Sequence, residues 1–244
     1  MIRFPDICQK KPMSKKVILL LETATSACSV ALCEAGDVIA VKEINERNVH
    51  ASLLTLFIDE VMKIGGKKYS DLDAVAVSRG PGSYTGLRIG VSTAKGLCYA
   101  LDIPLISVDT LEAMAYGIFK QEKIHDSAFL IPMIDARRME VYTAIFKSDL
   151  SLIEPVTAKI VDSYSFDNYE DNQLILFGDG SFKFQELFSG RAHIKFLEFQ
   201  NSAAHLSHLA DKKLSTGEIE NMAYFEPFYL KDFLAGKPAN FPRT

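Results

Sequence analysis

Apolar positions along the chain fall in short strand-like runs, give way to helical spacing, and then return to short runs. Segments 16–22, 27–34 and 37–44 read as three strands, with Ala35-Gly36 turning the second into the third, so an antiparallel meander is expected. Over 48–64 the residues Leu53, Leu54, Phe57, Ile58, Val61 and Met62 recur at helical intervals, and Gly65-Gly66 ends the run. A β-branched run at 74–78 predicts a buried strand. It leads into a glycine-marked helix reaching about Leu101, then a strand at 105–108 and a helix over about 110–120.

The second half begins after Gln121 with a hairpin, 128–134 and 140–146, turning at Asp135-Ala136-Arg137-Arg138. Strands follow at 157–161 and 174–177, the latter ending in Gly178-Asp179-Gly180, and a helix at 202–214. The polar and aromatic stretch 162–172 reads as a loop or short surface helix. The order β-β-β-α-β-α-β-α fits a mixed sheet with helices on both faces, the core unit of actin-like and ribonuclease-H-like folds. The expected class is therefore α/β, with two lobes. A leader spans 1–15, the first lobe 16–121 plus about 202–226, the second lobe 122–201, and the tail 227–244.

Composition narrows the function classes. The 244 residues are 48% hydrophobic and 24% charged, with a formal charge of −4, which argues against a broadly basic nucleic-acid surface acting alone. The apolar run 17–21 is too short to cross a bilayer. The first fifteen residues are basic without an apolar core, unlike a secretory signal, and Met13 is a plausible true start. Cys8, Cys28, Cys33 and Cys98 form no paired motif, so reduced thiols and a cytoplasmic protein are expected.

The richest stretch is 79–90, Arg-Gly-Pro-Gly-Ser-Tyr-Thr-Gly-Leu-Arg-Ile-Gly. Gly80, Pro81 and Gly82 suit a tight strand-to-helix turn, and Ser83 suits an N-cap. Gly86, Gly90 and Ala94 recur every four residues, leaving one helix face nearly bare, so some other body is expected to lie close to it. Helix 48–64 carries an almost unbroken run, Leu53, Leu54, Leu56, Phe57 and Ile58, which suggests one face on the sheet and a second for a partner. The helical docking surface inferred here competes with a fully internal explanation of the same residues.

Other candidates concern anions. Glu22 and Thr23, at the end of the first strand, could face magnesium or phosphate, or simply belong to an ordinary turn. Gly80, Gly82 and Ser83 could cradle an anion at a helix start, although no Walker motif is present. Arg79 and Arg88 would favour an acidic partner or a phosphate. An actin-like phosphate clamp needs a second glycine-rich hairpin, and bulky side chains stand there instead at 135–138, which argues against an efficient ATPase. His205 and His208 read as a solvated or half-buried pair rather than a metal site, and no nucleophile elbow is present. No catalytic and no metal residue is assigned.

The stretches 21–32, 79–90, 134–142 and Pro227-Phe228-Tyr229-Leu230 together resemble the TsaB (YeaZ) family, over about residues 17–231. Glu22 departs from the aspartate common in that family. The resemblance implies a two-lobed actin-like subunit without catalysis of its own, related to TsaD, whose metal-binding HxxxH pair has no counterpart here. It implies pairing with TsaD through the first two helices, with TsaE and tRNA joining the complex that forms threonylcarbamoyladenosine beside the anticodon. The expected interface is Leu54, Phe57, Ile58, Val61, Tyr84, Gly86, Leu87, Gly90 and Ala94, with a homodimer when TsaD is absent. No tightly bound cofactor is expected, only weak ATP or ADP with Mg at the junction of the complex. An actin-like ATPase or kinase, and a metal-dependent glycoprotease-like peptidase, are the alternative readings.

Overall fold

The computed structural model describes residues 15–231; the leader up to residue 14, with Cys8 and Met13, and the tail after Lys231 lie outside the described residues. Strands β1 (Val17–Glu22), β2 (Ala27–Glu34) and β3 (Asp37–Asn45) form the expected meander, with Ala35 and Gly36 both at positive φ in its second turn. Helix α1 (His50–Ile64), strand β4 (Ala74–Gly80), helix α2 (Tyr84–Leu101), strand β5 (Leu105–Asp109) and helix α3 (Thr110–Gln121) follow. The sheet order is β3-β2-β1-β4-β5, with β1, β4 and β5 parallel.

The second sheet repeats this plan. Strands β6 (Phe129–Asp135), β7 (Glu140–Lys147), β8 (Leu152–Ile160), β9 (Leu174–Phe177) and β10 (Ile194–Leu197) are ordered β8-β7-β6-β9-β10. β6 is antiparallel to β7 and parallel to β9, as β1 is to β2 and β4. Where the first lobe inserts α1 and α2, the second has single 3-10 turns at Asp167–Tyr169 and Phe182–Phe184. Strand β10, partly exposed and only four residues long, was not expected from the sequence; β8 begins five residues earlier than expected, on an alternating, half-exposed edge. The 202–214 helix is a 3-10 turn, Ala203–Leu206, leading into α4 (Ser207–Thr216).

Strand β1 is buried along its whole length and divides its side chains by parity. Leu19 and Leu21 join Leu54, Phe57, Ile58 and Val61 of α1 and Val91 and Ala94 of α2. Ile18 and Leu20 join Ala113 of α3 and Ala203, Leu206 and Ala210 near α4. Helix α3 serves both lobes, because Leu111, Met114, Ala115 and Ile118 pack on the second sheet with Leu130, Ile175 and Phe177. The other face of the second sheet is covered by Phe166, Phe184 and Phe188.

The bare stripe of α2 faces inward, which corrects the expectation of a docking edge. Gly86, Gly90 and Ala94 are buried, and a β-carbon at Gly86 or Gly90 would overlap the Thr23 carbonyl oxygen or the Thr23 side chain. The close body is the chain's own β1–β2 turn. Ser83 caps the helix as expected, its Oγ accepting the Gly86 N–H at 3.3 Å. Gly96, by contrast, opens onto nothing within 4 Å.

Two substitutions on one helix should therefore move stability in opposite directions. Gly86→Ala should lower it by about 1–3 kcal/mol through overpacking against backbone. Gly96→Ala should raise it by about 0.5–1 kcal/mol by removing an exposed mid-helix glycine. Urea midpoints at constant slope measure both; equal shifts for the two would contradict the inward orientation.

Candidate functional site

Six segments meet between the lobes around a cleft of about 780 Å³. The β1–β2 turn supplies Ala24, Thr25 and Ser26, the approach to α1 supplies Arg47, Asn48 and His50, and the start of α2 supplies Gly82 to Gly86. Across from them stand Asp135, Ala136 and Arg137 of the β6–β7 turn, Asp179 after β9, and Tyr229, Leu230 and Lys231 of the tail.

Each wall is held by local bonds. Ser26 Oγ donates to Asn45 Oδ1 at 2.6 Å, and His50 Nε2 lies 3.2 Å from the Ala27 carbonyl. The Ser83 N–H donates to the Ala24 carbonyl at 2.6 Å, so the glycine loop is closed onto the facing turn rather than open as an anion cradle. On the far wall Asp179 Oδ1 accepts the Asp135 N–H at 3.0 Å, and Lys183 Nζ pairs with Asp135 at 2.5 Å. Burial raises the Asp179 carboxyl above the usual range; the Asp135 N–H opposes this, the Asp135 charge adds to it, and Lys183 and Arg47 oppose it. The tail reaches this wall from the first lobe: Phe228 N–H donates to the Arg79 carbonyl at 2.7 Å, and Lys231 pairs with Glu140.

Among the expected anion residues, Gly82 and Ser83 line the cleft, whereas Glu22, Thr23 and Gly80 do not. Glu22 and Thr23 are buried, and the Glu22 Oε1 accepts the Ala24 N–H at 2.6 Å. Burial pushes the Glu22 carboxyl up to about 7, opposed by hydrogen bonds from the Ala24 N–H, the Ser78 hydroxyl and the Thr23 backbone. A sealed, easily neutralised carboxyl is poorly placed to meet solvent magnesium, which corrects that candidate role. Gly80 packs against the Phe228 carbonyl. Arg79 is engaged by Asp109 through Nε and Nη2 at 2.8 and 2.9 Å and is not free for phosphate.

The interface candidates divide likewise. Leu54, Phe57, Ile58, Val61, Leu87 and Ala94 belong to the lobe's own interior, and only Tyr84 and Gly86 reach the cleft. The outward surface of the α1–α2 pair is different: Leu56 is 54% and Tyr99 83% exposed. Ser92, Gly96 and Ala100 are exposed beside Tyr99, two residues on from the buried stripe and so about 200° around the helix. Arg47 and Lys231 were missed by sequence reasoning, because they come from separate segments that share no local motif, whereas Asp179 sits in the glycine turn 178–181 that the sequence offers as an approach to a nucleotide. Among the described residues no group of three His, Cys, Asp or Glu side chains could hold a metal ion.

Two lobes of one topology, joined by a shared helix and separated by a cleft, define an actin-like two-lobed protein. The family model described as TsaD, tRNA N6-adenosine threonylcarbamoyltransferase, matches residues 40–233, and the chain belongs to this family, on its TsaB (YeaZ) branch. It is 39% identical over 132 residues, 54% of this chain and 55% of the other, to the Escherichia coli tRNA threonylcarbamoyladenosine biosynthesis protein TsaB. The Haemophilus influenzae protein of the same name is 38% identical over 53% of each chain. The matched stretch thus spans about half the length of these curated relatives. YeaZ from Pseudomonas aeruginosa superposes with a TM-score of 0.73 at 25% identity, over 88% of this chain and all of that one.

The buried carboxyl has a pH signature. Below about 4.5 Glu22 is protonated in both states; as pH rises it ionises first in the unfolded chain, so stability falls until about pH 7 and then levels. The loss amounts to about 3 kcal/mol. His205, pushed down to about 4 by burial with Glu43 opposing, gives the reverse slope, losing stability as pH falls from its ordinary value toward 4. Glu22→Gln should remove the first slope and expose the second in urea midpoints measured from pH 4 to 8. Parallel profiles for the two proteins would show that Glu22 ionises freely.

Proposed function

We propose that this chain is a non-catalytic partner subunit of the tRNA N6-adenosine threonylcarbamoyltransferase complex, binding and activating TsaD for modification next to the anticodon. The observation that carries this reading is a TsaD-type fold whose phosphate-holding positions are occupied. The glycine loop is filled by the Ala24 carbonyl, Glu22 is sealed, and the second hairpin presents Arg137 and Arg138. A chain that keeps the architecture but closes its glycine loop on its own backbone is suited to assembly rather than group transfer.

The docking face follows from what α1 and α2 leave outside. Leu56 and Tyr99 supply large apolar contact, while Ser92, Gly96 and Ala100 allow a partner helix to approach closely. The buried residues Leu54, Phe57, Ile58, Val61, Leu87, Gly86, Gly90 and Ala94 stiffen that face from beneath rather than touching the partner. The same patch would pair two copies when TsaD is absent, as self-complementary helical faces readily do. TsaE and tRNA join through the complex, in the cytoplasm, and ATP or ADP with Mg binds weakly at the subunit junction. No helix of the described residues is long and apolar enough to cross a membrane.

The ATPase or kinase reading and the metallopeptidase reading remain alternatives with distinct signatures: micromolar Mg-ATP binding with turnover, or stoichiometric metal in the purified chain. For the docking face, Leu56→Asp and Gly96→Arg should abolish co-purification with TsaD while leaving the thermal midpoint near that of wild type, because both sites are exposed. Retained capture of TsaD by both variants would move the interface elsewhere.

A further inference from the structure

The cleft carries cationic and aromatic groups that lie outside the docking face proposed above. The Arg88 guanidinium lies 5.0 Å from the Tyr84 ring centre, and the Tyr84 ring lies 4.6 Å from that of Tyr229 at an interplanar angle of 32°. Arg88 and Tyr229 thus both contact the Tyr84 ring, and both rings line the cleft. Arg47 stands on one wall and Arg137 on the other. Among the described residues, neither they nor Arg138 lie in an ion pair, unlike Arg79, Lys183, Arg191 and Lys231.

The backbone beneath these arginines is informative. Arg137 and Arg138 hold φ of 72° and 50°, a left-handed conformation that ordinarily falls to glycine or asparagine. A hairpin needing only to turn tightly would be better served by Asn-Gly. The chain instead accepts local strain, of order 1–3 kcal/mol per residue, at two consecutive arginines, of which Arg137 lines the cleft. In a protein of net charge −4, such a local cluster points to an anionic ligand.

The kind of anion follows from the rest of the cleft. A compact polyphosphate seeks backbone N–H groups, but here the Ser83 N–H is committed to the Ala24 carbonyl and the Gly86 N–H to Ser83 Oγ. Asp135 and Asp179 also line the cleft, so a compact cluster of negative charge would meet them together. Cations spread along a rim beside stacked aromatic rings instead match single-stranded nucleic acid, whose bases stack and whose phosphates run past as separate charges. We propose that the cleft mouth binds an unpaired stretch of RNA, a base stacking on the Tyr229–Tyr84 pair and the flanking phosphates meeting Arg47 and Arg137. The choice of RNA over DNA rests on the functional reading above.

The test is fluorescence anisotropy of a short labelled single-stranded RNA with the full chain across a salt series, alongside duplex RNA, single-stranded DNA and Mg-ATP as competitors. Saturable binding is expected, weakened about 5- to 150-fold by Tyr229→Ala, the range that losing one stacked base implies. Tyr229→Phe should bind as wild type, which separates stacking from misfolding. Arg47→Ala and Arg137→Ala should each reduce the slope of log affinity against log salt by about 0.7. Absence of saturable binding, unchanged affinity in all three alanine variants, equal binding of DNA, or displacement by Mg-ATP ahead of duplex RNA would each overturn the proposal. TsaD capture by the same preparations keeps the two readings apart. Capture without RNA binding sinks this site alone, and RNA binding without capture sinks the partner-subunit reading alone.

Discussion

The contact on which the rest depends is the seating of the β1–β2 turn against the start of α2. Its geometry is set by one short hydrogen bond, Ser83 N–H to the Ala24 carbonyl, and by missing β-carbons at Gly82, Gly86 and Gly90. Each helical glycine costs roughly 0.5–1 kcal/mol of intrinsic stability. The return is close packing, because α2 can then lay Val91 and Ala94 against Leu21 and Val77 of the sheet. The same contact closes the cleft's first wall. With the Ser83 and Gly86 amides committed within the wall, its side-chain face to the cleft comes from Thr25, Ser26, Tyr84 and Thr85.

The two lobes share a sheet plan yet bury it differently. In the first, both faces are covered by helices, and β1 is buried throughout. In the second, the equivalents of α1 and α2 have shrunk to single 3-10 turns, and phenylalanine rings replace a helical layer. Large rings recover area that short elements cannot, since each fully buried aromatic or aliphatic side chain contributes about 1.5–3 kcal/mol. The consequence is asymmetric walls: a helix start on one side, a hairpin turn with strained arginines on the other.

Much of this fold was legible because its signals are local. Short apolar runs located β1, β2 and β9, helical spacing located α1, and Ser83 and the Gly65-Gly66 pair marked helix ends. What spacing could not give was direction. A bare stripe announces a close neighbour, and nothing in Gly86, Gly90 and Ala94 says whether that neighbour is another protein or the chain's own Thr23. Parity held a usable clue for Glu22: it falls in step with Ile18 and Leu20, which pack toward α3 and the 3-10 turn before α4, and with Ser78 after Ala74 and Ala76. The cleft itself is a long-range product. Arg47, Arg137, Asp179 and Tyr229 are brought together by topology, so no window of sequence contains the site.

Helix α3 bears on whether such a cleft can work as a moving machine. Kinase-type actin-like proteins close their lobes by hinge or shear motion, which needs a junction that can slide or bend. Here Ala113 is buried in the first lobe while Leu111, Met114, Ala115 and Ile118 are buried in the second, so the junction is packed on both faces. Gly117 lies against the His205 ring, and Met114 fills the space beside Gly178, leaving little room for displacement. Rotating one lobe would uncover several of these side chains at once, and packed interiors resist that kind of graded deformation. A stiff junction suits a subunit that presents fixed surfaces, with the outer α1–α2 face and the cleft mouth held at constant separation, better than one that opens and closes at each turnover.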